Sequence, residues 1–333
     1  MTGRKTRAGQ IFAVFALVCS FSSSAFDIIA HRGASGFLPE HTLVAAALAH
    51  AQMPDYIEQD VVLSKDGKPV VLHDIHLETV TNVEEVFPDR AREDERFYVI
   101  DFTLAELKTL RVHERTNPQG KPVFPHRFSA TGVDLRIATL DEHIQLIQEL
   151  NRLRNTEIGF YIEIKSPAFH KKHGQDISAI VLDTVKRFDL LSANARLFLQ
   201  CFDFAEIRRL RQEFGYTGQL VFLIGIGKDY DVYRTPEGIQ GLTGLVNGIG
   251  PALVTMLPSG LNETPVPPAW VNEANKQGLL LHPYTYRHDV LPADIDAGAL
   301  LGVLISQFGI DGIFTDQVPP IMTLLEQVSA PSP

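Results

Sequence analysis

Residues 56–63 of the 333-residue chain read YIEQDVVL. Tyr56, Ile57, Val61, Val62 and Leu63 suit a strand buried on both faces. Residues two apart in a strand point the same way, so Glu58 and Asp60 would face one side together. Seven further β-rich runs share this apolar character, at Asp27–His31, Gly159–Lys165, Arg196–Phe202, Gln219–Ile224, Gly248–Leu253, Gly278–Pro283 and Gly312–Thr315. Helical patterns fall between them at Thr42–Ala51, Leu140–Leu153, Asp176–Phe188, Phe204–Phe214, Ala269–Gln277, Ala297–Phe308 and Pro319–Val328. Strand–helix alternation implies βαβ units and a parallel sheet. Eight such units point to an α/β fold, a (β/α)8 TIM barrel. A doubly wound open sheet fits the same count and stands as the alternative. Residues 75–138 break the rhythm and read as an insertion in the second βα unit. One barrel domain is expected over residues 26–333.

Residues 1–25 read as a secretory signal peptide. Arg4, Lys5 and Arg7 precede the short apolar run Ile11–Val18, and Ser23-Ser24-Ala25 offers a cleavage site. The run is too short to span a bilayer, so no stable membrane anchor is expected. Cleavage after Ala25 would leave Cys201 as the lone cysteine, without an intrachain disulfide. Cys201 sits in an apolar run and reads as a small core residue. The formal net charge is −10, and removing the basic leader makes the chain more acidic still. Such a chain is a poor nucleic-acid binder, so positive charge for an anionic ligand must be local.

Functional side chains in a barrel of this kind sit at the C-terminal ends of strands. The first run ends in Ala30-His31-Arg32-Gly33. Arg32 offers a fork for a phosphate, and Gly33 allows close backbone approach. In the third run, Tyr161-Ile162-Glu163-Ile164-Lys165, Glu163 and Lys165 share a face. An adjacent strand would bring Glu163 beside Glu58 and Asp60. Three close carboxylates repel unless a cation or proton intervenes. With no thiolate, they suit one hard divalent ion, Ca²⁺ first and Mg²⁺ as the alternative. The turn Lys65-Asp66-Gly67 and the run Pro69–Leu72 suggest a hairpin that returns His73 to the same mouth. With Arg32 and Lys165, such a site carries nearly the charge that balances a phosphodiester.

The ordered set His31-Arg32-Gly33-Ala34-Ser35-Gly36, Pro39-Glu40-His41-Thr42, Glu58-Gln59-Asp60, Asp66-Gly67 and Val71-Leu72-His73-Asp74 resembles the glycerophosphodiester phosphodiesterase family. Glu163-Ile164-Lys165, Leu199-Gln200-Cys201-Phe202, His282-Pro283-Tyr284-Thr285 and Phe314-Thr315-Asp316 fit it too. The insertion and His41, where the motif usually has Asn, are similar to the periplasmic bacterial branch. The resemblance implies a (β/α)8 barrel that needs one divalent cation. It implies hydrolysis of glycerophosphodiesters, such as glycerophosphocholine and glycerophosphoethanolamine, to sn-glycerol 3-phosphate and an alcohol. Carried over by position, Glu58, Asp60 and Glu163 match metal ligands, and His31 and His73 match the catalytic pair. Arg32, Lys165, Phe202 and His282 match substrate contacts, and Glu40 a supporting position behind them. A periplasmic enzyme with small-molecule substrates is expected, with a homodimer left open. Phospholipase D-like action on intact lipids and mere capture of phosphodiesters are the rival readings. The first lacks an evident acyl entry, and the second leaves the complete acid–base and acidic set unexplained.

Overall fold

The computed structural model describes residues 26–192, 194–257 and 265–329. The expected leader lies outside them. Among the described residues nine strands form: β1 (Asp27–Ala30), β2 (Tyr56–Leu63), β3 (Pro69–Val71), β4 (Gly159–Ile164), β5 (Leu197–Cys201), β6 (Gln219–Ile224), β7 (Gly248–Pro251), β8 (Leu280–Leu281) and β9 (Gly312–Thr315). Their spatial order is β8-β7-β6-β5-β4-β2-β1-β9, all parallel, with β3 antiparallel on β2. First and last staves pair, with Ala30 opposite Thr315. Backbone bonds from Asp311 to Leu281 (2.9 Å) and from Phe314 to Pro283 (3.0 Å) bring β8 beside β9. The eight parallel staves thus make a nearly closed barrel, and the open-sheet alternative falls.

The helices are α1 (Leu43–Ala51), α2 (Val83–Val86), α3 (Leu104–Leu107), α4 (Leu140–Arg154), α5 (Pro167–Lys172), α6 (Ile177–Arg187), α7 (Phe204–Gln212), α8 (Pro236–Gln240), α9 (Leu253–Met256), α10 (Ala269–Lys276), α11 (Ala297–Ser306) and α12 (Val318–Ser329). Local chemistry sets their starts. Thr139 and Glu142 form a capping box on α4, and the Asp203 carboxylate accepts from the Ala205 and Glu206 amides on α7. Among the described residues no helix is long and apolar enough to cross a membrane.

Five of the expected strands are shorter than their sequence runs, three of them trimmed only at their ends and two for reasons the hydrogen bonds show. The run Gly248–Leu253 stops at Pro251, and Leu253 opens α9. Ala252 still donates to the Ile224 carbonyl at 2.9 Å and meets Tyr284 in an isolated bridge before the chain turns into the helix. Of Gly278–Pro283 only Leu280–Leu281 is regular strand, because the following chain bonds to β9 by isolated contacts.

The strands alternate in and out as the pattern requires. Outward residues such as Ala30, Ile57, Ile162 and Ile164 pack with the helices. Inward residues Ile29, Tyr56, Tyr161, Phe198, Val221 and Phe314 fill the barrel. Tyr161 and Phe198 stack at 4.7 Å, and Phe314 meets Tyr161 edge-on at 4.9 Å. Two residues further along the same strands come Glu58, Glu163 and Gln200. An aromatic floor therefore lies directly beneath a polar mouth. Cys201 is buried, donates weakly to the Ile164 carbonyl at 3.3 Å, and has its thiol pushed up by burial. It is a core residue, as its sequence context suggests.

Residues between β3 and α4 build a separate apolar cluster. Leu77, Val80, Val83, Phe97, Phe102, Leu107 and Leu110 pack against Val62 and Val70 of the β2–β3 hairpin. The insertion is thus anchored on the outer face of that hairpin.

Candidate active site

His31 is the residue after β1, and Asp316 is the residue after β9. Because Ala30 lies opposite Thr315, the next residue on each strand meets the other. His31 Nδ1 lies 2.6 Å from Asp316 Oδ1. Burial alone would raise the Asp316 pKa. His31, with Arg287 and Arg127, instead holds it well below the usual carboxylate range. An ionised carboxylate can only accept, so the shared proton sits on Nδ1. That leaves Nε2 as the working nitrogen, 3.7 Å from Glu58 Oε2. Burial first, then Arg32, pushes His31 down to about 4, against the pull of Asp316.

His73 follows β3, which pairs Val71 with Val61 and so returns the chain to the mouth. Its Nδ1 lies 2.6 Å from Asp74 Oδ1. Asp74 is held below its ordinary value by His73 and Arg115, against burial. Burial, Arg32 and Lys165 push His73 down to about 3. Both histidines therefore rest neutral, each presenting Nε2 with a carboxylate behind it.

Arg32 and Gly33 turn the chain away from the barrel with φ of 57° and 81°. A Cβ on Gly33 would stand 2.9 Å from the Ala45 carbonyl carbon, so only glycine fits between this turn and α1. The Arg32 amide donates to Glu58 Oε2 at 3.0 Å. Its guanidinium donates to Glu40 Oε2 at 2.9 Å and lies 3.5 Å from Asp60. Glu40 thus backs Arg32, and it also accepts from Arg115 Nε (2.9 Å) and Nη2 (2.6 Å).

Register explains the acidic cluster. Asp60 lies opposite Glu163, and Glu163 opposite Gln200. Ligand oxygens of Glu58, Asp60 and Glu163 lie within 4.8 Å of one another, all buried. Gln200 donates to Glu58 at 2.8 Å, and His41 donates to Asp60 at 2.7 Å. Lys165 pairs with Glu163 at 2.8 Å and lies 3.7 Å from Asp60. Burial and the neighbouring carboxylates drive Glu58 well above its usual range. Burial, with Asp60 beside it, pushes Glu163 up to about 8. Asp60, despite burial, is held well below by Lys165, His41 and His73. Burial and mutual repulsion thus disfavour full ionisation of the trio unless a cation compensates. Asp60 Oδ1, buried, has no hydrogen-bond partner. An all-oxygen trio with an unsatisfied ligand atom fits a hard divalent ion.

One cavity of about 450 Å³ is lined by His31, Arg32, His73 and the three carboxylates on one side. Phe202, Leu253, Leu257, Tyr284 and Leu300 form its apolar side. Lys165 stands behind Glu163, where it lines a neighbouring pocket beside Phe202 and Tyr230. His282 is not brought to the cavity. It is fully buried lower in the barrel, 3.1 Å from the Tyr161 hydroxyl and 3.6 Å from Asp27 at the start of β1. It faces the barrel interior one layer below the mouth and does not line the cavity.

Several site residues have no role assigned from sequence. Asp74 and Asp316 were readable as acids at strand ends beside a histidine or opposite one. Gln200 follows the inward period of β5. Arg115, Arg127 and Arg287 lie in loops, where no period marks them.

Comparison with known proteins converges. The model of the glycerophosphoryl diester phosphodiesterase family matches residues 31–319. A glycerophosphodiester phosphodiesterase of Haemophilus influenzae is 36% identical, aligning 87% of this chain with 86% of its own. That of Treponema pallidum is 33% identical, over 91% of this chain and 92% of its own. Among solved structures, a putative glycerophosphoryl diester phosphodiesterase from Silicibacter pomeroyi superposes with a TM-score of 0.71 at 23% identity, covering 91% of this chain and 94% of its own. An Oleispira antarctica phosphodiesterase, solved with the product sn-glycerol-3-phosphate, gives 0.61 at 20%, covering 90% and 96%. At these identities the structural likeness speaks to the fold.

Proposed function

The chain belongs to the glycerophosphoryl diester phosphodiesterase family, and from that membership we propose that it hydrolyses glycerophosphodiesters to sn-glycerol 3-phosphate and an alcohol. Glycerophosphocholine and glycerophosphoethanolamine are the substrates proposed, with little demand on the head group. The observation that carries this reading is one cavity that holds both histidines, Arg32 and the acidic trio.

Glu58, Asp60 and Glu163 would hold one divalent cation, Ca²⁺ before Mg²⁺. When bound, that ion supplies positive charge to offset the charge that develops on the phosphate oxygens. Arg32, fixed by Glu40, adds a second positive charge at the same wall. His31 accepts a proton from the nucleophile at Nε2. His73 delivers one to the leaving alcohol, and so must be protonated in the complex, which the negative charge of the diester favours. Phe202 packs against the bound substrate, and Lys165 acts on it through Glu163. The nucleophile is water or the glycerol 2-hydroxyl, and a cyclic phosphate trapped in single turnover distinguishes them. The leader pattern supports export to the periplasm.

The test incubates purified protein with glycerophosphocholine, with and without chelator, and assays glycerol 3-phosphate. Chelator-sensitive product is expected. No product, or product indifferent to chelator, overturns the reading.

A further inference from the structure

Two arginines of the insertion reach back to the barrel mouth. Arg127 Nη2 donates to Asp316 Oδ2 at 2.8 Å, while its Nε and Nη2 also clasp Asp289 at 2.8 and 3.0 Å. Arg115 Nη1 donates to Asp74 Oδ2 at 2.6 Å, while Nε and Nη2 clasp Glu40. The two arrangements match. Each arginine grips one carboxylate in a bidentate fork and spends another contact on the aspartate behind one catalytic histidine.

We propose that the insertion is a positioning frame for the acid–base pair, with Arg127 acting through Asp316 on His31 and Arg115 acting through Asp74 on His73. The inference rests on the reading of those histidines as proton carriers. Burial argues for it. The side chains of Arg127 and Asp316 are 4% and 2% exposed, where a lone charge is costly and a pair survives only with good geometry. Position argues for it too. No residue lining the cavity comes from residues 75–138, so neither arginine touches substrate there. What the arginines do touch is the far oxygen of each aspartate. Asp316 Oδ1 is taken by His31, and Oδ2 by Arg127 and by Arg287 at 2.8 Å. Asp74 Oδ1 is taken by His73, and Oδ2 by Arg115 and by Thr79 at 3.2 Å. A carboxylate held at both oxygens cannot rotate, and neither can the imidazole plane it accepts from. Arg115 extends the frame through Glu40 to Arg32. The insertion therefore sets the orientation of groups it never places in the cavity.

A double-mutant cycle tests this. Arg127→Ala should lower kcat about 10- to 100-fold with KM changed less than about threefold, as removal of outer supporting groups does. In an Asp316→Asn background the same change should cost less than about threefold, because its route to His31 is already cut. Arg127→Lys keeps the charge but loses the fork. It should fall between wild type and Arg127→Ala, and it serves if Arg127→Ala does not fold. A second readout needs no turnover. In protein carrying ¹⁵N-labelled histidine, Arg127→Ala should shift the Nδ1 resonance of His31 and leave His73 unmoved. Arg115→Ala should do the reverse. Unchanged kcat, multiplicative losses in the cycle, or unmoved resonances overturn the proposal. Wild-type protein without phosphodiesterase activity overturns the functional reading instead, and the resonances then decide the frame alone.

Discussion

His31 Nδ1 and Asp316 Oδ1 lie 2.6 Å apart across a sequence separation of 285 residues. The pairing follows from barrel closure, since β1 and β9 are neighbours in register. Asparagine at 316 would offer an amide N–H to Nδ1 and favour the tautomer with its proton on Nε2. Asp316→Asn should therefore lower kcat by about 100-fold or more without unfolding the chain. Near-normal turnover by this variant would remove Asp316 from the mechanism.

His31→Ala and His73→Ala should each cost about 10²- to 10⁴-fold in kcat, the range for a lost general acid or base. Circular dichroism should match wild type. Full activity in either variant would break the acid–base assignment.

Calcium should raise the melting temperature of wild-type protein, since an ion that binds only the folded state stabilises it by mass action. Glu163→Gln removes one of the three carboxylate charges and replaces one of its oxygens with an amide nitrogen, and should abolish most of that rise. A calcium response equal to wild type in Glu163→Gln would place the ion elsewhere.

In chelator, stability should fall as pH rises from about 6.5 to 8. Glu163 is pushed up to about 8 by burial, and Asp27 and Glu114 to about 7. In that window the folded chain holds protons that the unfolded chain has released, so raising pH favours unfolding. Below it, His31 at about 4 and His73 at about 3 act in the opposite sense, because the unfolded imidazoles take up protons first. Saturating calcium should flatten the slope above pH 6.5. A melting temperature that climbs from pH 6.5 to 8 in chelator would contradict the buried protonated carboxylates.

Gly33→Ala should destabilise the protein by about 1–3 kcal/mol, the cost of left-handed backbone for a residue with a Cβ. The contact with Ala45 adds to it. Thermal or denaturant unfolding measures the loss, and an unchanged midpoint would show that the turn can relax.

The staves were legible because a strand buried on both faces writes an apolar run, and the inward period of two writes its exceptions. Glu58, Asp60 and Glu163 stood out as those exceptions. His73 was legible through the Asp66-Gly67 turn that reverses β2 into β3. His282 was carried over from the family resemblance, and strand period alone does not place it. It follows an apolar run like His31, yet β8 is only two residues long, and its register sets the ring a layer below the mouth. Arg115 and Arg127 show another limit. Their loops have no period, and only tertiary packing of the insertion aims them. Glu40 was placed as a supporting residue, and its partners are Arg32 and Arg115.

The closure of β9 on β1 also bears on the order in which the chain assembles. The insertion's apolar cluster joins residues between Val62 and Ile137, so its contacts form by closing short loops. The His31–Asp316 and Arg127–Asp316 bonds span 285 and 189 residues and need the last stave in place. Contacts so distant in sequence form late in folding. Refolding chains should therefore regain helical signal before turnover, and a ribosome-bound chain lacking its final stave would hold none of its His31 dyad.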